Sequence, residues 1–220
     1  MKLFSRDLDS SKVKSHSWKV KPPLVFRWLF PSTIWRIPVN SKRVFITFDD
    51  GPIPEVTPWV VDKLRQYGAK ATFFCVGDNV QKHPNVFGLL ADSDMAVGNH
   101  TFYHSKAWSV SLKEYHKSID MCTSLVNSNL FRPPHGQLFP WMIPALRRKF
   151  SKIVMWDILS MDYDASLTAD DVFNNVVTRV KPGSVIVFHD SLKAWPRLEN
   201  ALPRILKSLS DQGYTMDVIK

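Results

Sequence analysis

The sequence predicts an α/β protein built on parallel strands. About seven short runs rich in β-branched and aromatic residues alternate with helical patterns along most of the chain, and such alternation gives parallel strands joined by right-handed crossovers. The chain has 220 residues, of which 45% are hydrophobic, enough for one domain with a packed core. No internal repeat or low-complexity tract interrupts the pattern. An open doubly wound sheet and a closed barrel both fit it.

The strands are predicted from their composition and from the turn residues that separate them. Arg43–Phe48 (RVFITF) is the clearest, because it is almost entirely apolar and β-branched or aromatic. Lys181-Pro182-Gly183 forms a turn ahead of a later strand. In chain order the predicted strands are Arg43–Phe48, Lys70–Val76, Met95–Val97, Leu130–Phe131, Lys152–Trp156, Ser184–Phe188 and Tyr214–Ile219.

The helices are predicted from capping residues and from their spacing between strands. Ser111 and Glu114 match a capping box, which marks the start of the clearest helix. Thr168 is suited to an N-terminal cap, and Gly68 and Gly213 to C-terminal ends. The predicted helices are Glu55–Tyr67, His83–Asp92, Ser111–Ser128, Pro140–Phe150, Thr168–Val180 and Glu199–Gln212.

Residues 1–40 are polar and then proline-containing, and we interpret them as an N-terminal tail and lead-in before a domain at 41–220. Within the lead-in, Leu24–Ile37 (LVFRWLFPSTIWRI) is apolar and aromatic, with Arg27 and Arg36 interspersed. Such a segment either packs against the domain or associates weakly with a membrane surface. Packing is favoured, because Pro31 would interrupt any long amphipathic helix there.

The charge and the cysteines exclude some classes of protein. Lys and Arg outnumber Asp and Glu by 29 to 20, which gives a net charge of +9 and an attraction to polyanions. The charge is scattered and no nucleic-acid-binding motif accompanies it, so we expect no nucleic-acid partner. Cys75 and Cys122 lack paired metal spacing, and Cys75 lies in an apolar run that predicts a buried strand. No obligate protein partner is evident.

No targeting signal is evident in the chain. The first residues contain no uninterrupted apolar stretch of about 7–15 residues, as a signal peptide needs. No run reaches the roughly 18 apolar residues of a membrane span. We therefore expect a cytoplasmic protein or one peripheral to the inner membrane.

Polar residues gather where the predicted strands end. In parallel β/α architectures the carboxyl ends of the strands form one face, on which active sites lie. Residues that are distant in sequence are therefore expected to converge there. These residues are Asp49 and Asp50, His100 and His104, Arg132, Asp157 and Asp162, and His189 and Asp190.

Three of these residues are candidate metal ligands. Asp50, His100 and His104 supply one carboxylate and two imidazoles, which leave open positions on a divalent ion. A helical turn would place His100 and His104 on one face, because they are four residues apart. Two adjacent carboxylates, Asp49 and Asp50, repel each other at a buried strand end unless a cation is present. Nitrogen and oxygen ligands favour Zn²⁺, with Co²⁺, Ni²⁺ or Mn²⁺ as alternatives.

The remaining polar residues predict a hydrolytic mechanism. A divalent ion lowers the pKa of bound water from about 15.7 toward about 7, and Asp49 can take the proton as general base. His189 can protonate a leaving nitrogen. Arg132 can hold Asp49 ionised and oriented, and Asp162 can hold His189 in the required tautomer.

The polar residues at the strand ends lie in five short segments that follow one another along the chain. The segments are Thr47-Phe48-Asp49-Asp50-Gly51-Pro52, His100-Thr101-Phe102-Tyr103-His104, Arg132-Pro133-Pro134-His135-Gly136, Trp156–Tyr163 (WDILSMDY) and Val187-Phe188-His189-Asp190. Together they resemble the motifs of the polysaccharide deacetylase family, the NodB-homology domain of carbohydrate esterase family four. The resemblance runs from about residue 43 to residue 190 and leaves out the first 40 residues.

The resemblance implies a fold and a set of roles. The fold would be a distorted, incomplete (β/α) barrel, similar to a TIM barrel but with fewer than eight units. Asp49 would be the base and His189 the acid, with Arg132 and Asp162 as their partners. The metal ligands would be Asp50, His100 and His104. The substrate would meet Pro133, the backbone N–H of His135 at the oxyanion, and Tyr163 and Val187 around the acetyl methyl.

The sequence departs from the family pattern at three places. His135 stands where the family has Tyr, which matters little if the backbone performs the role. Tyr163 stands where the family has Trp. It is expected to narrow the wall of the pocket for the acetyl methyl, which would alter the preference of the protein for one acyl group over another. Val187 and Phe188 replace a pair of Leu residues. Outside the motifs, Trp108 follows the second motif and either stacks on a sugar ring or packs within its loop.

The predicted function is metal-dependent removal of N-acetyl groups from a glycan that contains N-acetylglucosamine, such as peptidoglycan or a chitin-like chain. The same chemistry in relatives acts on lipid-linked amino sugars, O-acetyl xylan or small amides, and these substrates stay open. A non-catalytic carbohydrate-binding domain is the alternative from another class. It is disfavoured because inactive relatives typically lose a metal ligand or the base.

Overall fold

The computed structural model describes residues 17–220 and contains one sheet of eight short strands. All of the pairings between these strands are parallel. The strands are β1 Arg43–Asp49, β2 Ala71–Cys75, β3 Ala96–Asn99, β4 Leu130–Phe131, β5 Lys152–Ile153, β6 Ile158–Leu159, β7 Val185–His189 and β8 Thr215–Met216. Predicted structure within residues 1–16 lies outside the described residues.

Helices follow most strands and cover the outside of the sheet. The capping boxes of Ser111 with Glu114 and of Thr168 with Asp171 both form. The helices are α1 Ser17–Val20, α2 Leu24–Leu29, α3 Thr57–Gln66, α4 Gly77–Lys82, α5 Pro84–Ala91, α6 Leu112–Thr123, α7 Ile143–Lys149, α8 Ala169–Val177 and α9 Trp195–Asp211, with 3-10 turns at Pro134–Gly136 and Pro140–Met142.

The sheet curls into an incomplete barrel, as predicted. Its strand order is β5-β4-β3-β2-β1-β7-β6, with β8 paired to the start of β1. No ladder joins β5 to β6 within residues 17–220. The lead-in lies at this opening, where Ile34 bridges to Val154 on one side and Arg36 bridges to Ser184 on the other.

The two faces of the strands are buried in different ways. On β1, Val44, Ile46 and Phe48 belong to the main core under the helices. Because side chains alternate along a strand, Phe45 shares the inner face with Thr47 and Asp49. Phe45 belongs to a second cluster that fills the interior, with its other members Phe74, Leu130, Val154, Val185 and Ile219 and with Ile34, Ile37 and Val39 packed against it. The inner face thus changes from apolar to polar toward the carboxyl end of β1.

The structure corrects three parts of the predicted order. The predicted strand Lys152–Trp156 is formed only at Lys152–Ile153, as β5, and a separate strand that was not predicted, β6, follows at Ile158–Leu159 on the other side of the barrel opening. Between them Asp157 is buried and accepts hydrogen bonds from Arg27 Nη2 and Ser184 Oγ, both at 2.6 Å. Helix α4 was not predicted, and the third strand extends to Asn99 rather than ending at Val97.

The apolar lead-in behaves differently in its two halves. Thr33 and Trp35 are buried, so the second half packs against the barrel as predicted. In the first half, α2 has no buried residue, and Trp28 is 83% exposed. Among the described residues no helix is long and apolar enough to cross a membrane. Cys75 is buried on β2 as predicted, and it and Cys122 are both free thiols.

Candidate active site

The polar residues that follow the strands converge on one cavity of about 370 Å³. Asp49 and His189 are register partners across the β1–β7 ladder, so parallel pairing brings them side by side. Arg132 and Asp162 are fully buried and contact the lining residues. The lining consists of Asp49, Asp50, His100, His104, His135, Gly136, Trp156, Leu159, Tyr163, Val187, His189 and Lys193.

The backbone around this cavity adopts unusual conformations. Within the described part of the chain, the non-glycine residues with positive φ are Asp50, Thr101, His104, His135 and Met161. All of them lie in or beside the cavity or next to Asp162. Positive φ is costly for residues with a Cβ, and it persists only where the surrounding structure enforces it. The loops at the strand ends are therefore held in fixed positions by their contacts.

Arg132 fixes Asp49 from inside the barrel. Its Nη1 donates to Asp49 Oδ1 and to Thr47 Oγ1, both at 2.7 Å. Its other nitrogens donate to the carbonyls of Val154 and Met155, and its guanidinium lies 4.1 Å from the centre of the Phe74 ring. A buried Arg whose three nitrogens all donate hydrogen bonds is held rigidly. Arg132 therefore provides both the countercharge and the orientation of Asp49.

Asp50, His100 and His104 bring three donor atoms within 4.8 Å of one another. Asp50 Oδ1 is 3.1 Å from His104 Nε2 and 3.9 Å from His100 Nε2. His100 Nδ1 lies 2.8 Å from the carbonyl of Arg132, which can only accept, so Nδ1 carries the proton and Nε2 is free to bind a metal. Their placement and chemistry fit one divalent ion with open positions.

Electrostatics around the donors also suit a cation. Burial lowers the pKa of His100 to about 4, against the opposing charge of Asp49, so its ring is neutral at pH 7. Burial opposes ionisation of Asp50, but its hydrogen bond with His104 and the charges of the nearby histidines lower the pKa of Asp50 well below its usual value. The site therefore presents a carboxylate and a neutral imidazole, the protonation states that metal binding requires.

The prediction that a helical turn aligns His100 and His104 was wrong. Residues 100–106 form an irregular loop with positive φ at Thr101 and His104. Asn99 Oδ1 accepts from the Thr101 backbone N–H at 2.8 Å, and Ser118 Oγ on α6 accepts from the N–H groups of Phe102 and Tyr103. These side chains, rather than helical hydrogen bonds, bring the two imidazoles together.

Asp162 holds His189 through both of its carboxylate oxygens. Oδ2 accepts from the His189 backbone N–H at 2.8 Å, and Oδ1 lies 2.7 Å from Nδ1 of the ring. Burial disfavours the charged ring, but the charge and hydrogen bond of Asp162, with Asp50 and Asp49, raise the pKa of His189 to about 9. His189 is therefore a protonated acid at neutral pH.

Asp190 has a structural task that sequence reasoning did not assign. Its buried carboxylate accepts from the Gly51 N–H at 3.1 Å and from Thr57 Oγ1 at 2.5 Å. A Cβ at Gly51 would lie only 2.0 Å from Asp190 Oδ2, so glycine is required there. Asp190 therefore ties the loop that follows Asp50 to the end of β7. The only sequence signal was its position beside His189.

The opposite wall is built by the Pro133–Gly136 turn and by Trp156. His135 has φ of 58°, and its ring centre lies 4.5 Å from that of His104. Within residues 17–220, the N–H of His135 takes part in no backbone hydrogen bond outside the regular elements. Gly136 also has positive φ, and a Cβ there would lie 2.5 Å from the Trp156 ring. The turn is therefore packed closely, and it leaves the His135 N–H without a backbone acceptor among the described residues.

The remaining predicted substrate contacts divide into two groups. Tyr163 and Val187 line the cavity, with Tyr163 edge-on to the His189 ring at 4.9 Å between centres. Pro133 is buried and Trp108 is exposed, and neither lines the cavity. Four lining residues were not predicted as site residues. They are Gly136, Trp156, Leu159 and Lys193.

Comparison with known proteins agrees with this geometry. The family model described as polysaccharide deacetylase matches residues 36–148, just over half of the chain. Two peptidoglycan-N-acetylglucosamine deacetylases of Bacillus cereus are 35% and 34% identical. The alignments cover 80% and 82% of this chain, and 66% and 87% of those proteins.

A solved structure shares the fold at similar identity. The crystal structure of the Bc1960 peptidoglycan N-acetylglucosamine deacetylase, in complex with 4-naphthalen-1-yl-N-oxidanyl-benzamide, superposes with a TM-score of 0.78 at 32% identity. The match covers 90% of this chain and 95% of that one. The chain belongs to the polysaccharide deacetylase family, carbohydrate esterase family four.

Proposed function

We propose that this chain is a metal-dependent hydrolase that removes N-acetyl groups from a glycan containing N-acetylglucosamine, such as peptidoglycan or a chitin-like chain. The observation that carries the proposal is the meeting of a three-ligand donor set, a carboxylate fixed by Arg132 and a protonated His189 around one cavity. Relatives named as peptidoglycan deacetylases support the substrate class.

The metal would be held by Asp50, His100 and His104. Two imidazoles and one carboxylate favour Zn²⁺, and Co²⁺, Ni²⁺ or Mn²⁺ can use the same donors. When bound, such an ion polarises a carbonyl and acidifies water. No other group of three His, Cys, Asp or Glu residues with this geometry occurs in the described chain.

The reaction consumes one water and releases acetate and a free amine. Asp49 takes a proton from the water that attacks the acetyl carbonyl. The N–H of His135, which has no backbone partner within residues 17–220, donates to the oxygen that becomes negatively charged. His189 then gives its proton to the nitrogen as the carbon–nitrogen bond breaks, and Asp162 keeps its Nδ1–H in place. Tyr163, Leu159 and Val187 give the acetyl methyl an apolar wall.

A non-catalytic carbohydrate-binding role is less consistent with these contacts. Binding a sugar does not need an Arg that donates to Asp49 and to three further buried acceptors, or an Asp that holds both the N–H and the ring of His189. Burying such charged groups costs free energy that a binding site can avoid. Their retention favours catalysis.

Acetate release across a panel of acetylated glycans tests the proposal. We expect the purified protein to release acetate from at least one polymer or oligomer containing N-acetylglucosamine. A chelator is expected to stop the release, and added Zn²⁺ to restore it, because the three donors hold the ion. Release that continues unchanged in metal-free protein would contradict the metal dependence, and no release from any glycan would contradict the substrate class.

The exposed face of α2 supports lipid-linked amino sugars as a second candidate substrate class. Arg27 ties this helix to the buried Asp157, while Leu24, Trp28 and Leu29 are 64%, 83% and 54% exposed. Apolar side chains held outward beside basic residues are typical of a helix that lies on a membrane surface.

Vesicle co-sedimentation tests this association with point variants. Deleting residues 1–40 is unsuitable, because Ile34 and Trp35 pack against the barrel. We expect the chain to sediment with phosphatidylglycerol-containing vesicles and the double variant Leu24→Asp/Trp28→Asp to do so several-fold less. Leu125→Asp, at another exposed apolar position, is the matched control. Equal sedimentation of the double variant and the control would remove this candidate.

A further inference from the structure

Three aromatic side chains form a continuous surface outside the cavity. The rings of Phe139 and Trp141 stack with centres 4.5 Å apart and planes 16° apart, and Trp108 lies 6.4 Å from Phe139 at 48°. Trp108 and Trp141 are 62% and 65% exposed. We call Trp108, Phe139 and Trp141 the aromatic surface.

The aromatic surface rests on a rigid base. Each of its members is next in sequence to a residue, only 2% exposed, of a third buried apolar cluster, which packs around α6 and α7 and is separate from the interior cluster. These neighbours are Ala107, Leu138 and Met142. Phe139 itself packs partly against the same cluster. The exposed rings are therefore held in place before any ligand arrives, which lowers the entropy cost of binding.

The position of the aromatic surface relates it to the cavity. Trp108 lies four residues after His104, and Phe139 four residues after His135, while the rings of these two histidines are 4.5 Å apart at the cavity. Four residues of extended chain span at most about 14 Å. The surface is therefore within the reach of a short oligosaccharide whose acetamido group occupies the cavity.

We propose that the aromatic surface is a second binding site for the same glycan, on which sugar units beyond the one being deacetylated stack. This inference rests on the proposed function. The flat faces of pyranose rings carry C–H groups, and exposed aromatic rings offer matching apolar area at low conformational cost. Preorganised exposed aromatics beside a catalytic cavity suit a polymer that continues out of that cavity.

Oligosaccharide length provides the test. The β-1,4-linked hexamer and dimer of N-acetylglucosamine are compared as ligands, by calorimetry with the Asp49→Asn form and by acetate release with the active form. We expect Trp141→Ala and Trp108→Ala to weaken hexamer binding and raise the hexamer KM by up to about tenfold. The dimer is expected to change little, and kcat to stay the same.

Trp18→Ala is the matched control, since Trp18 is also 62% exposed but lies on α1. Equal hexamer affinity in the variants and the control would overturn the aromatic surface as a binding site. So would an equal loss for dimer and hexamer, which would indicate damage to the cavity. The binding measurement tests the aromatic surface even if the protein shows no turnover. Absence of acetate release by the unaltered chain would instead contradict the proposed deacetylase function and leave the test of the aromatic surface unaffected.

Discussion

Asp49→Asn is expected to lower acetate release by about 10²–10⁴-fold, the usual contribution of a general base, without loss of the metal. Asn has the shape of Asp, and its carbonyl oxygen can still accept from Arg132 Nη1, which lies 2.7 Å from Asp49 Oδ1. It cannot take a proton from water. The donors Asp50, His100 and His104 stay unaltered, so zinc content is expected to match that of the unaltered protein.

Metal analysis and initial rates on the same preparation check this expectation. Asp94→Asn serves as a control, because Asp94 is 80% exposed and pairs with the partly exposed Lys70, away from the cavity. A variant that releases acetate at close to the normal rate would show that Asp49 is not the base. A variant that loses the metal together with activity would place Asp49 among the ligands. That result would contradict the assignment of Asp50, in the loop after β1, as the carboxylate ligand and of Asp49 as the base.

The convergence of the site was predictable because it follows from local pattern and topology. Arg43–Phe48 is a recognisable strand, and Asp49 and Asp50 come at its end. Parallel strands place their carboxyl ends at one edge. The sequence did not predict that β7 lies beside β1, but the sheet places it there and the β1–β7 register makes Asp49 and His189 partners.

The shape of the loops could not be predicted in the same way. The spacing of His100 and His104 matches a helical turn, yet the loop is shaped by Asn99 and by Ser118, which lies on another element. Likewise, Asp190 acts on Gly51 and Thr57, 139 and 133 residues away. Contacts at such separation have no signature in a local sequence pattern.

The split between β5 and β6 has a similar origin. The composition of Lys152–Trp156 predicts one continuous strand, but only Lys152 and Ile153 pair with β4. Asp157 is instead drawn to Ser184 and to Arg27, which is 130 residues earlier in the chain. A partly buried ion pair between the lead-in and the barrel thus holds the chain between β5 and β6, where composition alone predicts that the first strand continues to Trp156.

Asp162→Asn is expected to slow acetate release by about 10²-fold or more near pH 8 and to move the alkaline limb of the pH profile to lower pH. Asp162 accepts from both the backbone N–H and the ring Nδ1–H of His189. An amide has only one accepting oxygen, so Asn can accept from only one of these two donors, and its NH₂ group then faces the other donor. Alternatively, the NH₂ group donates to Nδ1 and forces the His189 ring into the other tautomer. Either outcome disfavours the protonated acid.

The direction of the pH effect follows from the pKa of His189. Asp162 and the other nearby carboxylates raise that pKa to about 9 against the effect of burial. A general acid works while protonated, so activity is lost as pH rises through this value. Without the Asp162 charge, burial lowers the pKa of His189, and the loss begins at lower pH.

Acetate release measured between pH 5 and pH 10 separates this role from a structural one. Asp170→Asn, at an exposed carboxylate paired with Arg204, is expected to keep the normal profile. A uniform fall in rate for Asp162→Asn, with the alkaline limb unmoved, would mean that Asp162 only shapes the loop. A shift of that limb toward lower pH, with the rate at lower pH less affected, is the result expected if the carboxylate charge acts on the group that protonates the leaving nitrogen.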